Sequence, residues 1–468
     1  MNCLRYRVHT LCEIVPMTRV RPSTYKLLPV AAMLCALMGT STGSWARDAQ
    51  DAGGSVSATQ AICAVPAGTI SLQQALELAL CNQPLTAEAS ALVREARAAR
   101  DQAQGAQLPQ ATLSSSLNKT LTHLSGNADG MISEQQGSLS YVLFDFGAQR
   151  ATTAAAQAGV RASERDAQAQ AQTVMLEASK RYFALVAARE AVRAAQDNLS
   201  AAQASDDSVQ ARFQVGDAIA VDVLQSQSNV AEARMKVAQA QGNFDISRAA
   251  LAQYVGAKLS AAIEPELPEE QPPELVSIED MLAGALANRP DLQAARERVA
   301  AAQSQVDLAR AAGKPQLKAE ASWAYQHTPQ YYYSGHTNSI GLTLEIPLFD
   351  GGQAKARENQ ARAHQTTLEA RLQQQVDAVE LDVVQAYAQL RAAHAARTSA
   401  LAFKTAAQGA EEQAHGRYDA GVGTMLEWLT LQAKVASARE QAISADVTWF
   451  EAKLALAHAL GSLETSSH

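Results

Sequence analysis

The sequence predicts a mixed, mainly α-helical fold in which an internally duplicated body of long helices carries four β-strands. Three observations predict it. Ordered segments recur at a nearly constant offset, and two proline-free stretches of about 65 residues follow a helical apolar rhythm. Each stretch is preceded by a pair of segments that alternate with period two.

Composition narrows the class. Of 468 residues, 47% are hydrophobic but only 5% aromatic, and alanine dominates the apolar share. That balance favours close helix–helix contact through small side chains over a large aromatic core. Charged residues make up 18%, with 39 basic against 47 acidic, a net charge of −8 and a pI of about 5.7. Such a chain lacks the basic footprint of a nucleic-acid binder. Beyond the N-terminal segment no apolar run reaches about 18 residues, which excludes a helical integral membrane protein. A mean hydropathy of −0.15 remains compatible with alternating membrane strands.

Taken in order, residues 1–46 read as a secretory signal. Arg19, Arg21 and Lys26 precede the apolar run from Leu27 to Met38, and Ser44-Trp45-Ala46 is a small-x-small cleavage site. The stretch before Met17 is long for a basic leader, so translation starts at either Met1 or Met17. Met33 and Leu34 precede Cys35 where a lipoprotein signal needs small residues, so no lipid anchor is expected. Residues 47–70 form an N-terminal tail. Removal of the signal leaves Cys63 and Cys81, which in an oxidising compartment either pair, tying the tail to the first helix, or persist as buried thiols.

Two repeats follow, at 71–263 and 277–461, joined by an acidic, proline-rich linker at 264–276 that suits neither helix nor strand interior. A C-terminal tail occupies 462–468. Ser71 to Pro84 reappears as Ser277 to Pro290, and Pro109-Gln110 as Pro315-Gln316. Leu143-Phe-Asp-Phe-Gly147 returns as Leu348-Phe-Asp-Gly-Gly352, Phe213-Gln-Val-Gly216 as Tyr418-Asp-Ala-Gly421, and Tyr254-Val-Gly256 as Ala459-Leu-Gly461. The offset is 206 residues from Pro84 to Pro290 and 205 from Phe213 to Tyr418, so one deletion separates two long copies.

Both copies predict the same elements. A helix over 72–107, or 278–312, ends at a proline. Strands over 111–124 and 135–145 follow in the first copy, and over 317–327 and 337–349 in the second. Ile340, Leu342, Leu344, Ile346 and Leu348 share one face; so do Leu139, Tyr141 and Leu143, then Leu113, Leu117 and Leu121, then Ala319, Ala321, Trp323 and Tyr325. Tyr331, Tyr332 and Tyr333, in a connecting loop, suit a membrane interface. Long helices then run from Gly147 to Gln214 and from Gly352 to Tyr418, about 100 Å each at 1.5 Å per residue. Leu368, Leu372, Val376, Val379, Val383, Tyr387 and Leu390 mark a coiled-coil-like seam, with Tyr182 and Leu185 in the matching places of the first copy. Turns at 214–217 and 419–423 lead into a last helix ending at Gly256 or Gly461. The strands either cap the bundle in water or face lipid. Four strands cannot close a barrel, so a lipid-facing set must be pooled among several chains.

The signal, the paired helix–strand–strand–long helix–turn–helix units and the Leu-Phe-Asp-(Phe/Gly)-Gly junctions resemble the TolC family of outer-membrane channel-tunnel proteins, over nearly all of the chain after Ser71. The resemblance implies a homotrimer whose chains share a twelve-stranded transmembrane barrel and build a periplasmic helical tunnel. It implies as partners outer-membrane lipid, a periplasmic adaptor and an inner-membrane ABC transporter or RND pump. It extends to outer-membrane components of type I toxin secretion. Small-molecule or drug efflux is the alternative within the family, and a pore-less coiled-coil envelope protein the alternative outside it.

The resemblance also places a periplasmic gate at the hairpin turns, built around Gly216, Gly421 and Gly423. Asp222 matches a carboxylate of the closing network, Tyr418 its tyrosine partner, and Glu427 the first carboxylate of a constriction ring. Three copies would form an acidic ring that attracts cations. Gly423 stands where the family has an arginine lock and Thr430 where a second ring aspartate lies, which implies a tip held less firmly. Read without the family, Asp222 and Glu427 equally suit the positive N-terminal end of a helix.

Nothing points to an enzyme. The nine histidines are scattered, and the chain has no His-Glu-x-x-His run, no Gly-x-Ser-x-Gly elbow and no Gly-x-x-x-x-Gly-Lys-(Ser/Thr) loop. No metal or cofactor is expected, and energy for transport must come from a partner. Arg94, Arg97 and Arg100 read as a solvated face.

Overall fold

A computed structural model describes residues 68–120, 130–259, 263–266, 277–328 and 333–463. The expected signal, Cys63, Leu121, Tyr331 and Tyr332, and the side chain of Tyr333 lie outside the described residues. The first part of the chain supplies β1 (Gly68–Ile70), α1 (Leu72–Asn82), α2 (Pro84–Gly105), β2 (Gln110–Thr120), β3 (Gly130–Phe144), α3 (Ala148–Gln214) and α4 (Ala220–Tyr254). The second supplies β4 (Ile263–Pro265), α5 (Ile278–Asn288), α6 (Pro290–Ala311), β5 (Gln316–Thr328), β6 (Tyr333–Glu345), α7 (Gln353–Asp419) and α8 (Met425–Ala459).

The helix expected over 72–107 is two helices. Ser71 opens α1 with a capping box: its Oγ accepts the Gln74 N–H at 3.3 Å while Gln74 Oε1 accepts the Ser71 N–H at 3.1 Å. At Gln83 the backbone turns extended, φ −73° and ψ 131°, and Pro84 starts α2 as its first residue. Proline lacks the N–H that would carry the ladder across, and it restricts the residue before it. Arg289 and Pro290 divide the second copy in the same way.

Strand limits differ from expectation for equally local reasons. β6 stops at Glu345, because Pro347 cannot donate to a ladder, so Ile346 and Leu348 lie beyond the sheet. β3 starts at Gly130, paired to Thr120, which is earlier than alternation alone indicated. The register shifts between Val142 and Phe144, so Phe144, and not Leu143, stands opposite Leu317. The linker is not wholly irregular either: Ile263–Pro265 pairs parallel with Gly68–Ile70. Pro265 ends the strand, and the Glu266 N–H continues the ladder to the Ile70 carbonyl at 3.0 Å.

Helix α3 is the central beam, contacting α1, α2, α4, α6 and α8, while α7 packs on α5, α6 and α8. The core is duplicated like the sequence. One cluster joins Ile70, Leu78, Tyr182, Phe183, Leu185, Leu251 and Val255. The other joins Met281, Leu292, Val379, Val383, Leu390, Trp449 and Leu456, with Leu372, Val376 and Tyr387 packed against it. Each large side chain so buried stabilises by about 1.5–3 kcal/mol. The Phe183 and Phe450 rings stack at 4.8 Å and 9°, joining the two clusters.

Candidate functional site: an amphipathic sheet and two hairpin tips

The four long strands form one antiparallel sheet in the order β2-β3-β5-β6. Its register aligns Ala111, Leu139, Ala321 and Ile340 across one face, with Tyr141, Ala319 and Leu342, then Phe144, Leu317 and Leu344, in the rows beside them. The other face aligns Thr112, Ser138, Ser322 and Ser339, followed by Ser140, Glu320 and Gly341. Hydroxyls hydrogen-bond across that polar face, Thr112 with Ser138 at 2.6 Å and Ser322 with Ser339 at 2.7 Å. No protein covers the apolar face within the described chain: Leu113 is 80% exposed and Ile340 90%. An unfilled apolar face of this extent marks an interaction surface. A strand of 13 residues, such as β5, spans about 43 Å, or about 30 Å when tilted by roughly 45°. That matches the hydrocarbon core of a bilayer. Both β2 and β6 are open edges.

The Leu-Phe-Asp junctions set the sheet on the helices. Asp145 accepts the N–H groups of Gly147 at 3.0 Å and Gln149 at 2.8 Å, and Asp350 those of Gly352 at 2.9 Å and Ala354 at 2.5 Å. Each aspartate thus satisfies donors that a helix start leaves orphaned. These hydrogen bonds hold the Asp350 carboxyl below its ordinary range. Gly147 and Gly352, with φ of 91° and 85°, turn the chain from strand into helix.

At the opposite ends of α3 and α7 the chain reverses through Gly216, φ 86°, and Gly421, φ 73°. Tyr418 is buried there with Val209, Met425, Trp428 and Leu429. Arg212 crosses from α3 to α7. It donates to the Tyr418 carbonyl at 3.0 Å, pairs with Asp419 at 2.8 Å and lies 4.5 Å from the centre of the Tyr418 ring. Burial pushes the Tyr418 phenol up; Asp222, Asp217 and Asp419 push it the same way against Arg212. Asp222 and Tyr418 are therefore neighbours, although among the described residues no hydrogen bond joins them. Glu427 is not part of this group: it is exposed, its N–H bonds the Thr424 hydroxyl at 3.2 Å, and Arg417 lies 3.9 Å from its carboxylate.

Gly423 has a steric role. A Cβ there would come within 3.0 Å of the Tyr418 nitrogen and 3.1 Å of Arg417, so any larger residue, an arginine included, would require the backbone at Arg417 and Tyr418 to give way by a few tenths of an ångström. The inter-hairpin cation is Arg212 instead. Sequence reasoning missed it, although Arg212 and Arg417 hold matching places in the two copies. Cys81 is disulfide-bonded; its expected partner Cys63 lies outside the described residues.

An open amphipathic sheet standing on long helices whose far ends are pinned by charged turns defines an outer-membrane channel protein. Comparison with known proteins agrees. The model of the family described as outer membrane efflux protein matches residues 75–257 and 281–462, and the chain belongs to that family. Protein CyaE of Bordetella pertussis is 30% identical, over 85% of each chain. The pyoverdine export outer membrane protein OpmQ of Pseudomonas aeruginosa is 27% identical, over 84% of this chain and 85% of its own. The crystal structure of the outer membrane protein VceC from Vibrio cholerae superposes with a TM-score of 0.72 at 21% identity, covering 83% of this chain and 96% of that one. The protein is thus a component of the outer membrane and a channel, neither an enzyme nor a pore-less spacer.

Proposed function

We propose that the chain is the outer-membrane exit duct of a tripartite export system, working as a homotrimer whose strands close one twelve-stranded barrel over a shared helical tunnel. The observation that carries this is the sheet: apolar on one face, hydroxyl-lined on the other, and unpaired along both β2 and β6. Unpaired edges are not tolerated in hydrocarbon, so neighbouring copies must pair them. Cargo moves passively along the polar interior. A periplasmic adaptor and an inner-membrane ABC transporter, or an RND pump, supply the coupling, and exposed apolar residues at the turns, Val215, Ile219, Leu224, Val422 and Leu426, suit contact with the adaptor.

The finer reading is type I secretion of a protein toxin of the adenylate cyclase–haemolysin kind. Its supports are the likeness to toxin-secretion components and the match to CyaE along most of both chains. The likeness to a pyoverdine export protein favours a second reading, efflux of small molecules. Extraction of the outer membrane in mild detergent and mass measurement of the particle tests the duct; a trimer is expected, and a monomer would overturn it. Deletion of the gene separates the cargo readings. Loss of one secreted protein from the medium supports type I secretion, whereas an unchanged set of secreted proteins with raised sensitivity to small toxic compounds supports efflux.

A further inference from the structure

One strand-to-helix junction carries two residues that the duplicated fold does not require. Phe146 has φ +53° and is the one non-glycine residue with positive φ among those described; in the second copy Gly351 stands in its place at φ +66°. A side chain in that conformation stores roughly 1–3 kcal/mol of strain, so the turn itself is better served by glycine. The Phe146 ring packs edge-on to Phe144, with centroids 4.8 Å apart, and the Lys314 ammonium lies 5.4 Å from its centre. Lys314 is equally unmatched, because Leu108 holds its place in the first copy.

The position of this group selects its occupant. Phe144 belongs to the apolar face through its pairing with Leu317, so the two rings continue the apolar band at the helix-side, periplasmic rim of the sheet. Lys314 is exposed, and among the described residues no carboxylate lies within 4 Å of its ammonium. The loop carrying it is fixed: a Cβ on Gly313 would come within 3.0 Å of Ala354 in the first turn of α7. A second copy would join along β2 and β6, whereas this group lies between the central strands β3 and β5, away from either edge. Lipid is what remains at that rim, and its headgroups there carry phosphate. Aromatic rings settle at this level of a bilayer, and an unpaired cation there is drawn to anionic lipid.

We propose that Phe144, Phe146 and Lys314 form a docking surface for anionic phospholipid headgroups of the periplasmic leaflet. This rests on reading the apolar face as lipid-facing. The test uses the purified full chain in maltoside micelles doped with phosphatidylglycerol or, separately, phosphatidylcholine, with retained lipid phosphorus counted after gel filtration. Lys314→Gln is expected to lower retained phosphatidylglycerol about fivefold, the effect of one surface cation, while Lys314→Arg keeps it. Phe146→Gly, which suits the backbone, is expected to lower it without lowering the melting temperature. Phosphatidylcholine should be retained equally by all. Unchanged phosphatidylglycerol in both Lys314→Gln and Phe146→Gly, or phosphatidylcholine falling in step, would overturn the proposal alone. A wild-type protein that stays soluble without detergent and holds neither lipid would overturn the barrel reading and this surface with it.

Discussion

At the scale of single residues, two side chains join parts of the molecule that lie far apart in sequence. Arg212 holds the turns of the two hairpins together through the Tyr418 carbonyl and the Asp419 carboxylate. Asp419 is half exposed, so the ion pair is screened, and the shared contact with the Tyr418 ring adds to it. Arg212→Ala is expected to raise the open fraction of single channels in planar bilayers; an unchanged closed level would show that the tip is held elsewhere. Tyr182 has a different task. Its hydroxyl donates to the Ile70 carbonyl at 3.1 Å and to the Glu266 carbonyl, clamping the β1–β4 pair onto α3. Burial pushes its phenol up to about 12 from 10.0. Because the folded value lies above the unfolded one, this stability is complete below pH 10 and is lost as pH rises through about 12. Tyr182→Phe should lower stability by about 1–3 kcal/mol at neutral pH and flatten the alkaline limb of the melting curve. A limb that persists in the variant would assign it to another group.

Secondary elements were legible where periodicity is uninterrupted and obscured where a single residue redirects the chain. The seam of α7 was readable because Val379, Val383 and Leu390 recur at steps of four and seven, one and two helical turns, and are all buried. The break at Gln83 was not, because apolar positions continue on both sides of it and Pro84 fits a first helical turn as well as an end. Each break is hooked to the end of a neighbouring helix. Asn82 donates to the Val255 carbonyl at 2.9 Å in the first copy. In the second, Arg289, only 8% exposed, pairs with Asp291 at 2.7 Å and Asp382 at 3.2 Å and donates to the Ala459 carbonyl at 3.4 Å. Burial pushes the Asp291 carboxyl up, but hydrogen bonding to Arg289 and its charge prevail and hold it below the ordinary range. That contribution is present above the usual carboxylate pKa and lost as pH falls below it. Arg289→Met should therefore cost about 2–3 kcal/mol, less than breaking a fully buried pair because Asp382 is half exposed. Arg289→Gln, the residue of the first copy, should cost less. Urea unfolding of both variants checks the order, and equal losses would reduce the charges to bystanders.

For the whole molecule, alternation within each strand foretold the sheet, but not the order of its strands or its bulge, since neither pairing partner nor register is written in a single segment. The tip residues show the same limit. Asp222 and Glu427 could be placed at turns from the duplication alone, whereas Arg212 acts through a contact across the bundle that spacing does not reveal. In a trimer these two acids per chain would become six around one axis, and their joint field, more than any single contact, would set which ions enter. Each also occupies the first turn of its helix, where an acid contributes about 0.3–1 kcal/mol by countering the dipole. The double variant Asp222→Asn with Glu427→Gln separates the two roles. A constriction ring requires the reversal potential under a salt gradient to move toward zero as cation preference is lost, while helix capping alone lowers only the melting temperature. An unaltered reversal potential alongside a lowered melting point would therefore take both carboxylates out of the conduction path and leave them as features of the helix ends.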